Sequence, residues 1–231
     1  MNEPDKPMAP PSGSHTTPLA ANTPPTPAPA APIYVVAAHP HWEHSRVNRA
    51  LRDAAQALPT VAVCDLFGRY PDYAIDTARE QRALEAAQLV VLLHPVQWYS
   101  MPALLKLWLD EVLALHWAYG GGHALRGKDL WLVASTGGPE SSYHPQGYNR
   151  YFFDAFLPPY EQTAALCGMR FLPPMVLHSA HTAPDAVVAE HVATFAERLQ
   201  SYPHWSELDE LEQCQQCEVP GSDRPNDAEV A

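Results

Sequence analysis

Hydroxyl, amide and imidazole side chains are concentrated in the segment His39–Asn48, between an apolar run and a helical pattern. Ser45 and Asn48 stand near the predicted start of that helix, where unpaired backbone N–H groups and the helix dipole favour an anion. The segment therefore predicts a phosphate site that has no glycine fingerprint. Ordinary capping of the helix by Ser45 is an equally open interpretation, because serine is a common N-cap residue.

Three histidines in this segment offer a second kind of chemistry. Neutral imidazoles bind zinc, and a loop can bring His39, His41 and His44 together. No neighbouring Cys, Asp or paired His completes a ligand set, however. The sequence thus predicts no metal site.

Two further loops have unusual side chains. Trp98 and Tyr99 lie between the apolar run Leu89–Leu93 and a helical stripe that begins after Pro102, and packing under that helix is the plain alternative for both. Ser135–Gly138 ends another apolar run with two adjacent glycines. Aromatic rings at one strand end and exposed backbone N–H groups at another predict contacts to a planar, polar-edged ligand.

The elements that must position these loops alternate between strand and helix patterns. Apolar runs predict strands over 33–38, 61–65, 89–93, 130–135 and 175–178. Stripes at helical spacing predict helices over 47–58, 77–87, 104–113, 149–167 and 184–201. Such alternation is typical of a three-layer α/β sandwich with a parallel sheet, and five strands suggest the flavodoxin-like order 2-1-3-4-5. The prolines at 173 and 174 indicate that the last strand lies at an edge of the sheet, because proline lacks the N–H that an inner strand needs.

In that strand order the first, third and fourth strands are neighbours, so the loops at their carboxyl ends converge on one crevice. One phosphate loop, one aromatic loop and one Gly-Gly loop are what a flavin mononucleotide moiety requires. The loops would supply an anion cradle, a stacking wall, and N–H groups near the N1/O2 edge of the ring. The sequence therefore predicts a flavin site at the carboxyl edge of the sheet.

Several separated motifs, in order, resemble the flavodoxin-like NAD(P)H:quinone oxidoreductases, and most closely the ancillary proteins of glutathione-regulated potassium-efflux systems. The resemblance covers about residues 33–200. The motifs are Ala38-His39-Pro40, His44–Leu51, Tyr70-Pro71-Asp72, Gln97–Lys106, Trp117–Gly120 and Thr136-Gly137-Gly138.

The resemblance implies a set of site residues. The flavin contacts are His39, Ser45, Arg46, Val47 and Asn48 for the phosphate side, Val96, Gln97, Trp98 and Tyr99 for the ring, and Ser135, Thr136, Gly137 and Gly138 for its polar edge. Tyr143 matches a tyrosine that helps to stabilise the reduced flavin in the animal enzymes, and the histidine that partners it there falls on Asn149. His144 is a substitute for that histidine. Tyr119 matches an aromatic residue that lines the neighbouring subunit's substrate pocket, with Tyr99 and Asn149 on the substrate side.

The resemblance also implies an activity. It is hydride transfer from NAD(P)H through bound FMN or FAD to a quinone, in a homodimer. An alternative is a regulatory subunit that docks on a membrane potassium/proton antiporter, with or without catalysis. A third interpretation is an electron-transfer flavoprotein without substrate turnover.

Composition predicts the domain organisation. Residues 1–32 hold ten of the 25 prolines and predict a disordered leader, 33–202 the flavin-binding domain, and 203–231 an acidic disordered tail. The formal net charge is −12 and no basic stripe exists, which argues against a nucleic-acid partner. Cys214 and Cys217 fall in the tail, where two exposed thiols are expected. The absence of a signal peptide and of an apolar span predicts a cytoplasmic protein, with peripheral attachment to the membrane if an antiporter is its partner.

Overall fold

Five parallel strands form the central sheet of the computed structural model, which describes residues 32–209 and 211. Their order, 2-1-3-4-5, is the predicted one, and every pair of neighbours is parallel. The strands are β1 (Ile33–Ala37), β2 (Val61–Asp65), β3 (Leu89–Pro95), β4 (Asp129–Ser135) and β5 (Arg170–Leu177). The predicted fold class is thus confirmed.

Helices cover both faces of this sheet. They are α1 (Val47–Gln56), α2 (Leu66–Arg69), α3 (Thr77–Ala86), α4 (Ala103–Val112), α5 (Pro158–Leu166) and α6 (Asp185–Ser201). α1 and α6 pack on one face, whereas α3, α4 and α5 pack on the other. In α4 the stripe of Leu104, Leu105 and Trp108 is fully buried, because these side chains lie on the helix face that points at the sheet.

The last strand and the region before it differ from the sequence expectation. β5 begins at Arg170 and runs through Pro173–Pro174, and the β4–β5 register shifts between Trp131 and Val133. An edge strand pairs on one side only, so it tolerates residues without an N–H. Residues 149–152 are not helical, since a short 3-10 turn at Phe153–Phe156 precedes α5.

The packed part of the chain extends past the predicted boundary at residue 202. Trp205 and Leu208 belong to the core cluster under α1 and α6, and each is only 6% exposed. The Trp205 indole N–H donates to the Arg198 carbonyl, and Arg170 donates to the Leu208 carbonyl. Residues 203–208 are therefore part of the domain rather than of a tail.

The predicted leader, except Pro32, and the rest of the predicted tail, except Leu211, lie outside the described residues. Pro32 already contacts the sheet, because its carbonyl accepts hydrogen bonds from the N–H groups of Gln88 and Leu89. Within residues 32–209, no helix has the length and the hydropathy to cross a bilayer.

The carboxyl ends of the inner strands are level with one another. Ala37 pairs with Leu93, Pro95 with Ser135, and Ser135 with Leu177. The segments that follow β1, β3, β4 and β5 consequently leave the sheet at one common edge.

Candidate functional site

A cleft of about 480 Å³ lies at this edge of the sheet, within the range of small-molecule sites. All three loops singled out in the sequence contribute to its wall. The lining residues are His39, Pro40, His41, His44, Ser45, Arg46, Val47, Asn48, Pro95, Val96, Gln97, Ser135, Thr136, Gly137, Ala180 and His181. The structure thus brings ten of the thirteen predicted cofactor contacts to one cleft and leaves Trp98, Tyr99 and Gly138 outside its lining.

The amino-terminal end of α1 points donors at the cleft. Arg46 is the N-cap residue, one position after the predicted Ser45. The buried Ser45 hydroxyl still accepts a hydrogen bond from the Arg49 N–H, at 3.2 Å, which leaves its own hydrogen free to donate. The N–H groups of the first turn have no partners within a helix, so Val47 and Asn48 can donate to an anion.

Asn48 is the polar group in the wall that is only half satisfied. Its side chain is buried, and its Nδ2 donates to the Ser135 Oγ over 2.8 Å, which joins α1 to the end of β4. Its Oδ1 is buried with no hydrogen-bond partner among the described residues. A buried polar atom without a partner is costly, so the cleft is built to receive a ligand that hydrogen-bonds there.

The Arg46 guanidinium is held across the cleft by the segment after β5. It donates to the Ala183 carbonyl at 2.7 Å and forms an ion pair with Asp185, the first residue of α6. The Asp185 side chain is almost fully exposed, whereas that of Arg46 is partly buried. The cation is therefore anchored at the site, while its carboxylate partner can turn into solvent.

Imidazole rings surround the end of the cleft at the amino terminus of α1. His39, His41, His44 and His181 all line it, and the His39 Nδ1 accepts the His41 N–H at 3.0 Å. Burial lowers the pKa of His39, and the nearby rings lower it further, so His39 is a neutral hydrogen-bonding group. Among residues 32–209, no group of three or more His, Cys, Asp or Glu has an arrangement suited to a metal ion.

The segment after β3 forms a tight turn with two aromatic residues at its tip. Gln97 and Ser100 exchange backbone hydrogen bonds of 2.9 and 3.1 Å, and the residues between them have positive φ, 48° for Trp98 and 65° for Tyr99. Trp98 is 93% exposed. The Tyr99 ring stacks on Phe156 at 5.3 Å. The turn thus presents Trp98 to solvent at the rim of the cleft.

The segment after β4 supplies backbone donors. The N–H groups of Gly137 and Gly138 have no acceptor within the described part of the chain. A Cβ at Gly138 would lie 2.4 Å from the Tyr148 hydroxyl oxygen, so a larger residue there would require the exposed Tyr148 side chain to move. Two adjacent N–H groups at the end of a strand can bind the polar edge of a ring.

Tyr143 is buried behind this segment. Burial raises the pKa of Tyr143, so the phenol remains protonated at neutral pH, and the Thr136 side chain lies beside its hydroxyl. Thr136 Oγ1 also lies 2.9 Å from the His178 Nδ1, and the His178 ring packs on Tyr143 at 5.3 Å. The imidazole beside Tyr143 is therefore that of His178.

The other predicted partners of Tyr143 lie elsewhere. His144 is exposed and its ring packs on Phe152. The Asn149 side chain donates to the Ser142 hydroxyl at 2.9 Å, and its Oδ1 accepts from the Tyr99 hydroxyl at 3.3 Å. Asn149 therefore links the aromatic turn to the segment that carries Tyr143.

Tyr119 is not part of the cleft. It lines a separate depression of about 260 Å³ between α4 and α5, beside Lys106, Pro159 and Cys167. A single chain thus does not bring Tyr119 to the cleft.

Known proteins resemble this chain in fold and in sequence. A family profile described as the flavodoxin-like fold matches residues 31–201, well over half of the chain. The chain belongs to this flavodoxin-like family. Among its relatives is the glutathione-regulated potassium-efflux system ancillary protein KefF of Citrobacter koseri, 42% identical over 168 residues, which are 72% of this chain and 94% of that protein.

Two solved flavodoxin-like structures are also similar. General stress protein 14 of Treponema denticola, solved in complex with FMN, has 33% identity and a TM-score of 0.66, over 78% of this chain and 99% of that one. An NADPH-quinone reductase from P. pentosaceus has 25% identity and a TM-score of 0.66, over 71% and 95% of the two chains.

Sequence reasoning missed the contribution of the fifth strand of the flavodoxin-like sheet. Ala180 and His181 line the cleft, and His178 approaches Tyr143, all from the segment after β5. The signal was present, since His178–Thr182 is a polar segment at the carboxyl end of a predicted strand. The two prolines hid it, because they suggested a short edge strand with no part in the site.

Proposed function

We propose that the chain is a flavin-dependent oxidoreductase that passes hydride from NAD(P)H to a quinone. The observation that carries the proposal is the cleft itself, where a helix amino terminus, the start of the segment after β3 and the Gly137 N–H converge, with the aromatic turn at the rim. The FMN complex and the NADPH-quinone reductase among the similar structures support this chemistry.

The proposed cofactor is FMN, because the cleft has one anion-binding end. Ser45, the first-turn N–H groups of α1 and the anchored Arg46 hold the phosphate, with His39 as a neutral partner. The unpaired Asn48 Oδ1 accepts a hydroxyl of the sugar chain. Val96 and Gln97 line the cleft beside the proposed ring, with Trp98 and Tyr99 at its rim, and Ser135, Thr136 and Gly137 line its proposed polar edge, next to Gly138.

The flavin, when bound, supplies the redox chemistry, and the protein supplies binding, orientation and electrostatics. Tyr143 remains a neutral phenol whose proton is available as a hydrogen-bond donor toward the polar edge of the ring. The Thr136 side chain lies beside that hydroxyl, and His178 in turn contacts Thr136. Tyr143 is accordingly the proposed catalytic residue, and His178 rather than His144 stands behind it.

Substrate binding is proposed to involve a second copy of the chain. Tyr99 and Asn149 are hydrogen-bonded to each other at the rim of the cleft, where an acceptor would enter. Tyr119, which lies apart from the cleft of its own chain, would complete the slot of the partner in a homodimer.

The decisive experiment is to purify the protein, release its cofactor by heat and identify it, while assaying oxidation of NADH and NADPH with a soluble quinone. The proposal expects a yellow protein that contains FMN and shows quinone-dependent turnover. A colourless protein that takes up neither FMN nor FAD would refute it.

The relationship to KefF supports a second function, regulation of a potassium-efflux antiporter from the cytoplasmic face of the membrane. The two functions are compatible, because a regulator can retain its flavin site. Potassium loss from cells that express the antiporter, measured with and without this chain, tests the second function. Unchanged potassium efflux in the presence of an active flavoprotein would exclude the regulatory function and leave the oxidoreductase function.

A further inference from the structure

The turn at Trp98 and Tyr99 has a shape that its sequence does not favour. Two consecutive residues with positive φ form the tip of a tight turn, and such positions favour glycine or asparagine over bulky aromatic residues. Strained backbone of this kind persists only where the surrounding structure over-determines it. The structure should therefore contain a rigid support under the turn.

That support begins at the end of β3 with His94, whose side chain is fully buried. Its Nδ1 lies 2.9 Å from the Pro95 carbonyl oxygen, which only accepts, so Nδ1 carries the hydrogen and Nε2 is left as an acceptor. Burial lowers the pKa of His94 to about 4, which keeps the ring neutral and in this tautomer at physiological pH.

Tyr160, in the first turn of α5, continues the support. Its hydroxyl lies 3.2 Å from the His94 Nε2 and donates to it, and the two rings stack at 5.8 Å with an angle of 16°. The Ser100 side chain interacts with the same hydroxyl. Since Ser100 closes the backbone ring with Gln97, a chain of contacts that starts at the buried His94 joins β3 and α5 to the base of the turn.

We infer that His94 and Tyr160 are positioning residues that hold the Trp98–Tyr99 turn in its strained shape before any ligand arrives. Neither residue lines the cleft, so their effect passes through Ser100. The inference rests on the proposed function only for its consequence, which is a preformed wall for the flavin ring.

The test compares Tyr160→Phe with the wild-type protein, because this change removes the hydroxyl and keeps the stacked ring. Amide hydrogen exchange of the peptide 96–102, measured in the cofactor-free protein, is expected to accelerate about fivefold, the size of one net hydrogen bond. FMN affinity is expected to fall by a similar factor. Ser100→Ala should have the same effect on exchange, and the double variant should be no faster than either single variant.

The matched control is Tyr34→Phe, which removes another buried hydroxyl, one that donates to Glu80 at 2.6 Å. It should lower the melting temperature without changing exchange in 96–102. Unchanged exchange in Tyr160→Phe, or additive effects in the double variant, would overturn the inference. Since exchange is read without cofactor, a wild-type protein that bound no FMN would refute the proposed function alone.

Discussion

Trp98 has its backbone in a strained conformation while its side chain is almost entirely exposed. Trp98→Ala should therefore leave the melting temperature unchanged and weaken FMN binding several-fold, since an aromatic contact contributes about 0.5–1.5 kcal/mol beyond area burial. A fluorescence titration with FMN measures the loss. Val187→Ala, which shortens an exposed apolar side chain on α6, is the control. Equal affinities in both variants would show that Trp98 does not touch the flavin.

Tyr143 should behave differently from Trp98. Tyr143→Phe removes the hydroxyl beside Thr136 and keeps the buried ring, so flavin content should remain near normal while flavin reduction by NAD(P)H slows. One hydrogen bond to a developing charge suggests a loss of about tenfold or more. Stopped-flow absorbance measures the rate, with Tyr73→Phe, at an exposed residue that does not line the cleft, as control. A variant that lost its flavin at an unchanged reduction rate would assign Tyr143 to binding.

At single positions, the sequence was better at identifying which residues line the cleft than at identifying which side chains contact one another. Ser45, Asn48 and Gly137 were found from their types and their places at strand ends, and all of them line the cleft. The His178–Thr136 contact joins residues 42 positions apart, so only the β4–β5 register reveals it. The positive φ of Trp98 and Tyr99 was hidden for another reason, because no aromatic residue favours that conformation.

Among the elements, apolar periodicity located every strand and each long helix. It failed at the start of β5, where Pro173–Pro174 obscured the strand pattern, and in residues 149–152, which precede α5 and are not helical. α2 (Leu66–Arg69) was missed because four residues are too short to show a period. Its stability comes instead from Asp65, whose side chain accepts the Gly68 N–H.

The end of β3 should make stability depend on pH. His94 has a folded pKa of about 4 against an ordinary value of 6.5, so the unfolded state binds more protons between these values. The contribution of His94 to the free energy of unfolding should therefore be fully present above pH 6.5. It should fall as the pH decreases toward 4, by up to about 3 kcal/mol. Urea unfolding across that range measures the slope.

His94→Gln keeps a donor for Pro95 and an acceptor for Tyr160 without a titrating ring. Burial lowers the pKa of His39, His178 and His191 as well, so some slope should remain in this variant. The slopes of the wild-type protein and of His94→Gln should differ. Identical slopes would mean that His94 does not remain neutral in the folded state.

For the molecule as a whole, the domain boundary can be tested by truncation. A fragment of residues 32–211 should match the full chain in melting temperature, since the Pro-rich composition of 1–31 cannot form a core. A fragment of 32–202 loses two buried side chains, Trp205 and Leu208, and should be less stable by about 3 kcal/mol or more. Equal urea midpoints for the two fragments would place the boundary at 202 after all.

The ion pair between Arg46 and Asp185 gives this cleft its own counter-ion. The protein has a formal net charge of −12, so an incoming phosphate meets overall repulsion and finds the one anchored guanidinium already neutralised. Phosphate binding then replaces the Asp185 carboxylate as the partner of Arg46 and releases few bound salt ions into solution. Cofactor affinity should accordingly depend only weakly on ionic strength, whereas Asp185→Asn should bind more tightly in dilute buffer and lose that gain steeply as salt is added.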